Sequence, residues 1–302
     1  MNTIANTNNL SVNNRGFNFF DAHCHLQEPE IIWDIDGIIS RWRENSGGTI
    51  VCCGTKESDW QAVANIASIY DNIIPCFGVH PWFVEDVSDK WFYSLEKYLN
   101  ITSNYYKYSK PLIGEIGIDH VLKNIDKKKQ EIIFKTQLGM AKELHIPVSI
   151  HIRKGWDILI KIIKNIGQIS NGGVIHSYSG SADMIPILQK YGFYISFSGS
   201  VTHSNNKKVQ KSLKQVSPER LLIETDSPAI LPYYPYLESE NQQSIYYDSS
   251  NPKWTTKLFQ MGLNEPCNIF MVATAISKIL DIPLSEVALR TDSNGKELFL
   301  KR

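Results

Sequence analysis

The sequence predicts an α/β protein folded as a single (β/α)8 barrel, with a long insertion after strand 8 and a polar N-terminal extension. Two observations carry that reading. Eight short apolar runs, rich in β-branched and aromatic residues, recur along the 302 residues with helical stretches between them, and six of these runs end in a histidine or an acid. Strands that alternate with helices pair in parallel, and eight of them close most economically as a barrel. One barrel also suits the length, so a single domain is expected over 18–302, with residues 1–17 as a loose extension.

Strands are expected at 18–22, TIVCCG (49–54), IIPCFGV (73–79), PLIGEIG (111–117), PVSIHI (147–152), GGVIHS (172–177), FYISFSG (193–199) and LLIET (221–225). Between the fourth and fifth, QEIIFKTQLGMAKEL (130–144) places Phe134, Leu138, Ala141 and Leu144 on one helical face. In SADMIPILQKYG (181–192), Ser181 can cap a helix and Gly192 can stop it, while Pro186 argues for a kink or a late start. Asn264-Glu265-Pro266 opens the helical run CNIFMVATAISKIL, with proline at an early position where it is tolerated. The stretch 232–255, PYYPYLESENQQSIYYDSSNPKWT, has no clear period and is too long for an ordinary loop, which marks it as a functional or mobile insertion.

The 31 basic and 31 acidic side chains cancel, so no global positive field draws the chain to nucleic acid or an anionic membrane. Any phosphate must be held locally. No apolar run approaches the ~20 residues that span a bilayer, and the start MNTIANTNNLSVNNRG is polar and Asn-rich. Five cysteines (Cys24, Cys52, Cys53, Cys76, Cys267) form an odd set without a CxxC pair, which reads as reduced core thiols in a soluble, cytoplasmic protein without a membrane role.

The strand ends carry the chemistry: Asp21, His23 and His25; His80; Glu115 and Asp119; His151; His176; Asp226. In a parallel barrel every strand opens onto one face at its C-terminal end, so these residues converge there. Alternation puts His23 and His25 on one side of their strand and Ala22 and Cys24 on the other, so one short strand offers two imidazoles to a single cation. Mixed imidazole and carboxylate donors suit Zn²⁺ or Mn²⁺, and with enough carboxylate Mg²⁺. A carboxylate such as Glu115 or Asp226 is the natural bridge between two ions roughly 3.5–4 Å apart.

Taken singly, each residue has an ordinary explanation. A lone histidine at a strand end is usually a hydrogen-bonded structural residue, Asp226 in Asp-Ser-Pro is common turn chemistry, and Glu115 can be a solvated loop end. The repeated placement is what sets the group apart. His120, His145 and His203 lack it and are read as surface or structural. Lysines in KNIDKKK (123–129) and at 207–208 are ordinarily solvated, although following strands they could grip a phosphate backbone. Arg153, two residues after His151, points to the same side if the strand persists, and its planar donor suits a phosphate as well as an ordinary ion pair.

The stretches DAHCHL, GVHP (78–81), IGEIGID (113–119), PVSIHIR (147–153), GGVIHSYSG (172–180), GFYISFSG (192–199), LLIETDSP (221–228) and NEP (264–266) together resemble the TatD family of metal-dependent hydrolases, amidohydrolase-like TIM barrels, over roughly 19–300. The resemblance implies a binuclear site for two divalent ions (Mg²⁺, Mn²⁺ or Zn²⁺) held by His23, His25, Glu115, His151, His176 and Asp226, with Glu115 bridging. It implies that His80 contacts the substrate phosphate and that the activity is that of a deoxyribonuclease removing nucleotides from DNA ends, single-stranded or frayed. Asp226 and Glu115 are expected to be catalytic, and His80, Arg153, Asn264 and Glu265 to bind substrate. Asp21 is expected to orient a histidine by a hydrogen bond from behind, and Cys24 to stay out of the site.

Two departures stand out: Ser177-Tyr178 where the family commonly has Cys-Phe after the histidine, and Lys154 where an acid is common. They bear on the pocket wall and hence on substrate choice. The same barrel and ligands also serve hydrolysis of small amides, esters or cyclic substrates. A further alternative is a subunit of a multiprotein complex, for example in defence, with a protein partner docked on the 232–255 insertion.

Overall fold

The computed structural model of the chain describes residues 17–45, 47–100, 110–169, 171–233 and 257–301. Eight strands run in order: β1 (Asp21–Cys24), β2 (Ile50–Cys53), β3 (Ile73–Phe77), β4 (Leu112–Asp119), β5 (Val148–Arg153), β6 (Gly173–Ile175), β7 (Phe193–Phe197) and β8 (Leu221–Ile223). Each pairs in parallel with the next in one sheet of order β1 to β8. The crossovers contain helices α1 (Ile35–Asn45), α2 (Trp60–Ile69), α3 (Trp91–Leu99), α4 (Lys127–Leu144), α5 (Trp156–Ile166), α6 (Ile185–Lys190) and α7 (Lys207–Leu213); α8 (Lys257–Gln260), α9 (Ile269–Leu280) and α10 (Leu284–Phe299) follow β8. The expected (β/α)8 architecture is therefore present. Of the N-terminal extension only Phe17, and of the 232–255 insertion only Pro232 and Tyr233, lie among the described residues. Among those residues no single helix is long and apolar enough to cross a membrane.

The seam between β1 and β8 closes through the segment just past β8. The His25 amide donates to the Ser227 carbonyl at 2.7 Å, and the Asp226 amide donates to the His23 carbonyl at 2.9 Å. Asp21, fully buried, accepts from the Thr225 amide at 2.9 Å and from its hydroxyl at 2.5 Å. Buried backbone groups need partners, so the residues that stitch the barrel are fixed as firmly as the sheet itself.

Alternation sorts the apolar side chains into two sets. Phe20, Ala22, Val51, Cys53, Ile74, Cys76, Leu112, Val174, Tyr194 and Leu222 form an interior cluster against which Leu298 and Phe299 of α10 pack, with the Phe20 and Phe299 rings stacked at 5.6 Å. The larger cluster joins the outward strand residues, such as Ile113, Ile150 and Phe197, to helix residues such as Phe134, Leu138, Leu159 and Ile162. All five cysteines are buried and free.

Three local expectations are corrected: a shared face for Ala22 and Cys24, burial of Leu144 and a cap from Ser181. Ala22 packs with the interior cluster and Cys24 with the outer one, because the β1–β2 register shifts between Asp21 and Cys24. Leu144, expected on the buried face of α4, is 39% exposed as the last residue of the helix. In the 181–192 segment the late start expected from Pro186 is present, α6 beginning at Ile185 with the proline in its first turn where no amide is needed, but the Ser181 side chain makes no cap. Lys127, Lys128 and Lys129 open α4, whose N-terminus is capped by Asp126 accepting from the amides of Lys128 and Lys129, and Lys129 pairs with Glu85 at 3.0 Å.

Two buried glutamines on α4 anchor the loops above it. Gln137 accepts from the Val79 amide at 2.7 Å and donates to the Val79 carbonyl; Gln130 accepts from the Asp119 amide and donates to the Pro81 carbonyl. The helix thereby sets the height of both the β3 loop and the end of β4. Gly117 lies opposite His151 in the β4–β5 ladder, at φ +154°, and a Cβ there would stand 1.9 Å from the His151 carbonyl oxygen. Gly117→Ala is expected to force the two strands apart and lower unfolding free energy by about 1–3 kcal/mol, as overpacking does. An unchanged midpoint in urea unfolding would show that the close approach is not required.

Candidate metal centre

Nine buried or nearly buried polar side chains meet at the C-terminal mouth of the barrel. Glu115, in the middle of β4, is 3% exposed and is surrounded by five imidazoles. Its two oxygens face different rings. Oε2 lies 3.4 Å from His23 Nε2 and 3.3 Å from His25 Nε2. Oε1 lies 2.8 Å from His176 Nε2, 3.0 Å from His151 Nδ1 and 3.3 Å from His80 Nε2. Asp226 Oδ1 joins the first group, 3.4 Å from His25 Nε2 and 3.9 Å from His23 Nε2. Within each group the paired ring nitrogens, His23 with His25 and His151 with His176, are 3.2 Å apart.

These spacings fit a cation. Donor atoms about 2.1 Å from a tetrahedrally held ion stand roughly 3.4 Å apart. Three overlapping sets, His23 with His25 and Glu115, His23 with His176 and Asp226, and His80 with Glu115 and His151, each bring three candidate donor atoms within 4.8 Å of one another. The polar groups behind the rings decide which nitrogens are available. His25 Nδ1 is 2.7 Å from the Cys53 carbonyl, which can only accept, so Nδ1 carries a proton and Nε2 presents its lone pair when the ring is neutral. His151 turns Nε2 to Asp119 Oδ2 at 3.4 Å and keeps Nδ1 for Glu115. His176 Nδ1 is 3.4 Å from Glu224 Oε1, and His23 Nδ1 is 2.8 Å from the Ser149 hydroxyl.

His80 is arranged differently. It follows β3, and its Nδ1 accepts from the Trp82 amide at 3.2 Å. A neutral ring that accepts at Nδ1 must carry its proton on Nε2, which makes that edge a donor rather than a ligand.

Charge follows the same layout. Burial alone would push the Glu115 carboxyl up, but His80, His176, His23 and His151 hold it well below the usual range. Burial opposes protonation of His25, yet Asp226 and Glu115 raise it to about 9. His176 and His151 are also raised against burial, His176 by Glu115 and Glu224, and His151 by Asp119 and Glu115. His80, by contrast, is pushed down to about 4 by burial, so it is neutral at pH 7. The mouth opens into a cavity of about 460 Å³ whose lining includes His25, His80, Glu115, His151, His176 and Asp226, together with Trp82, Phe83, Glu28 and Glu30.

Three expected substrate contacts stand elsewhere. Arg153 is exposed at the end of β5 and is not among the cavity-lining residues. Asn264 is fully buried: its amide donates to the carbonyls of Thr225 and Ile230, and its oxygen accepts from Asn268 and the Glu265 amide. Glu265 accepts from Arg41 Nε at 2.7 Å, which ties the start of α9's segment to α1. Asp21 acts on the His23 amide, at 3.3 Å, and on Thr225 rather than on an imidazole. Ser177 and Tyr178 support the site from behind, the Ser177 amide donating to Glu224 Oε1 at 2.6 Å.

Asp119 was legible in the sequence as one of the strand-end candidates but without a defined partner, and Glu224 was not among those candidates. Both are buried acids at the ends of strands, and that placement was the available signal.

Comparison with known proteins agrees with this fold. The family described as TatD related DNase matches residues 20–300. An uncharacterized metal-dependent hydrolase of Bacillus subtilis, YabD, is 28% identical over 283 residues, covering 93% of this chain and 98% of the relative. The human deoxyribonuclease TATDN3 is 26% identical over 294 residues, covering 95% and 96%. In structure, the TatD homolog YjjV of Escherichia coli K12 superposes with a TM-score of 0.78 at 24% identity over 93% of this chain and 97% of that one. With the family matched over nearly the whole barrel, this chain belongs to the TatD-related family and is a metal-dependent hydrolase.

Proposed function

We propose that the chain hydrolyses phosphodiester bonds at DNA ends, with two divalent cations held on opposite oxygens of Glu115. The observation that carries this reading is the split of the carboxylate: Oε2 faces His23 and His25, and Oε1 faces His151 and His176. His23, His25, Glu115 and Asp226 would hold one ion, and Glu115, His151 and His176 the other. The imidazole-rich donors favour Zn²⁺ or Mn²⁺ over Mg²⁺, which prefers oxygen. When bound, such ions supply Lewis-acid polarisation of a phosphoryl oxygen and acidify water.

The chain's own groups do the remainder. Asp226, beside His25 at the cavity, accepts the proton of the attacking water. His80 donates its Nε2 proton to a phosphoryl oxygen as negative charge grows there, and being neutral it can do so throughout the physiological range. Asp119 and Glu224 hold the rings of His151 and His176 in place. The human relative's name as a deoxyribonuclease supports a DNA substrate. Glu28 and Glu30 in the cavity lining repel a backbone that runs on past the site, which suits a chain end. The same two acids give weight to a second reading, hydrolysis of a small ester or amide. Labelled DNA strands assayed beside a panel of small esters and amides with each metal separate the two.

Asp226→Asn keeps the shape but removes charge and basicity, so kcat is expected to fall by about 10²–10⁴-fold while circular dichroism stays unchanged. Near-normal hydrolysis by that variant contradicts the assignment. A second prediction concerns protons. Below about pH 9 the cation-free site holds a proton on His25, with His151 and His176 also raised, and a cation that takes their nitrogens must displace those protons. Calorimetry at pH 7 in buffers of different protonation enthalpy should show proton release and an affinity that weakens as pH falls. Binding without release would exclude ligation by these rings.

A further inference from the structure

We infer that Trp82 is the platform on which the terminal nucleobase stacks while its phosphate is held at His80. This inference rests on the phosphodiester reading and adds to it the recognition of a base.

Trp82 lines the same cavity as Glu115 and His80, yet it is 47% exposed, unlike the buried His80 and Asp119 that it touches. Its ring is not free to turn away. The indole Nε1–H donates to Asp119 Oδ2 at 2.8 Å, and the ring meets His80 edge to face, with centroids 5.1 Å apart and planes at 82°. A large, partly exposed aromatic ring is therefore held in the cavity wall at a fixed angle, one ring away from the donor assigned to the phosphate. A single nucleotide bridges that spacing, its phosphate at His80 and its base on the indole.

The neighbouring wall fits the same ligand. Phe83, also lining the cavity, carries the Lys56 ammonium over its face at 4.6 Å from the ring centroid. An aromatic surface with a cation beside it suits a group that is flat at one end and anionic at the other. Stacking is indifferent to base identity, because every base has a π-face, so the platform selects for a nucleotide rather than for a sequence.

The indole also touches Asp119, which orients His151, so an effect on rate alone would not distinguish stacking from support of the site. The test therefore reads a ratio. The Mn²⁺-loaded protein is assayed on two single strands, one ordinary and one whose terminal nucleotides carry stable abasic sugars. Wild-type protein should prefer the ordinary strand in kcat/KM by roughly tenfold, within the range one stacked base contributes. Trp82→Phe, which keeps a flat face but loses the bond to Asp119, should retain most of that preference, whatever happens to the rate. Trp82→Ala should bring the ratio to within about twofold of unity.

A preference that survives in Trp82→Ala, or that is lost equally in Trp82→Phe, overturns the platform. Cleavage of both strands without preference by the wild type overturns the platform alone. Cleavage of neither strand removes the phosphodiester reading, and the platform with it.

Discussion

A single carboxylate inside a ring of five imidazoles is the constraint from which the rest of the site follows. Buried and ionised, Glu115 would be strongly unfavourable alone, because transfer of an unpaired charge out of water is costly. The rings of His23, His25, His80, His151 and His176 compensate it, and they do so asymmetrically, two against one oxygen and three against the other. Of the three, His80 is set apart by the amide that occupies its Nδ1. What remains is two pairs of imidazoles, each nearest a different oxygen of one carboxylate, the arrangement on which the two-ion proposal stands.

Holding those pairs in place occupies much of the barrel mouth. The His23 and His25 backbones take part in the seam with Asp226 and Ser227, so the strand that offers two rings is also one that closes the sheet. Gln130 and Gln137 on α4 fix the β3 loop that bears His80 and the end of β4 that bears Asp119. Asn264 and Glu265 hold the segment after β8 against α9 and α1. Site geometry and barrel closure are thus maintained by the same hydrogen bonds. A change just behind the cavity wall, at Asn264 for instance, reaches the site through the backbone of Thr225 and Ile230.

The eight strands were legible because each is a short apolar run, and burial on both faces leaves no room for anything else. The ring of candidate donors was legible for a related reason: parallel strands deliver their ends to one side, so the pattern His23, His25, Glu115, His151, His176 could be read as a convergence. The roles of Asn264 and Glu265 were not legible. A polar residue after a strand looks the same in sequence whether its amide faces a substrate or a carbonyl in the core, and these are spent on Thr225, Ile230 and Arg41. Arg153 likewise depended on alternation persisting to the strand's last residue, and it ends in solvent. Asp119 and Glu224 reach the site through His151 and His176, which are distant in sequence, and the register shift within β1 leaves no local signal.

Magnetic coupling between bound ions addresses the role of Glu115 most directly. Mn²⁺ titrated into the cation-free protein, followed by electron paramagnetic resonance, should give two ions per chain and an exchange-coupled spectrum, because ions bridged by one carboxylate lie roughly 3.5–4 Å apart. Glu115→Gln should lose the coupling. Two ions with independent spectra, or a single ion per chain at saturation, would contradict a bridging role for Glu115.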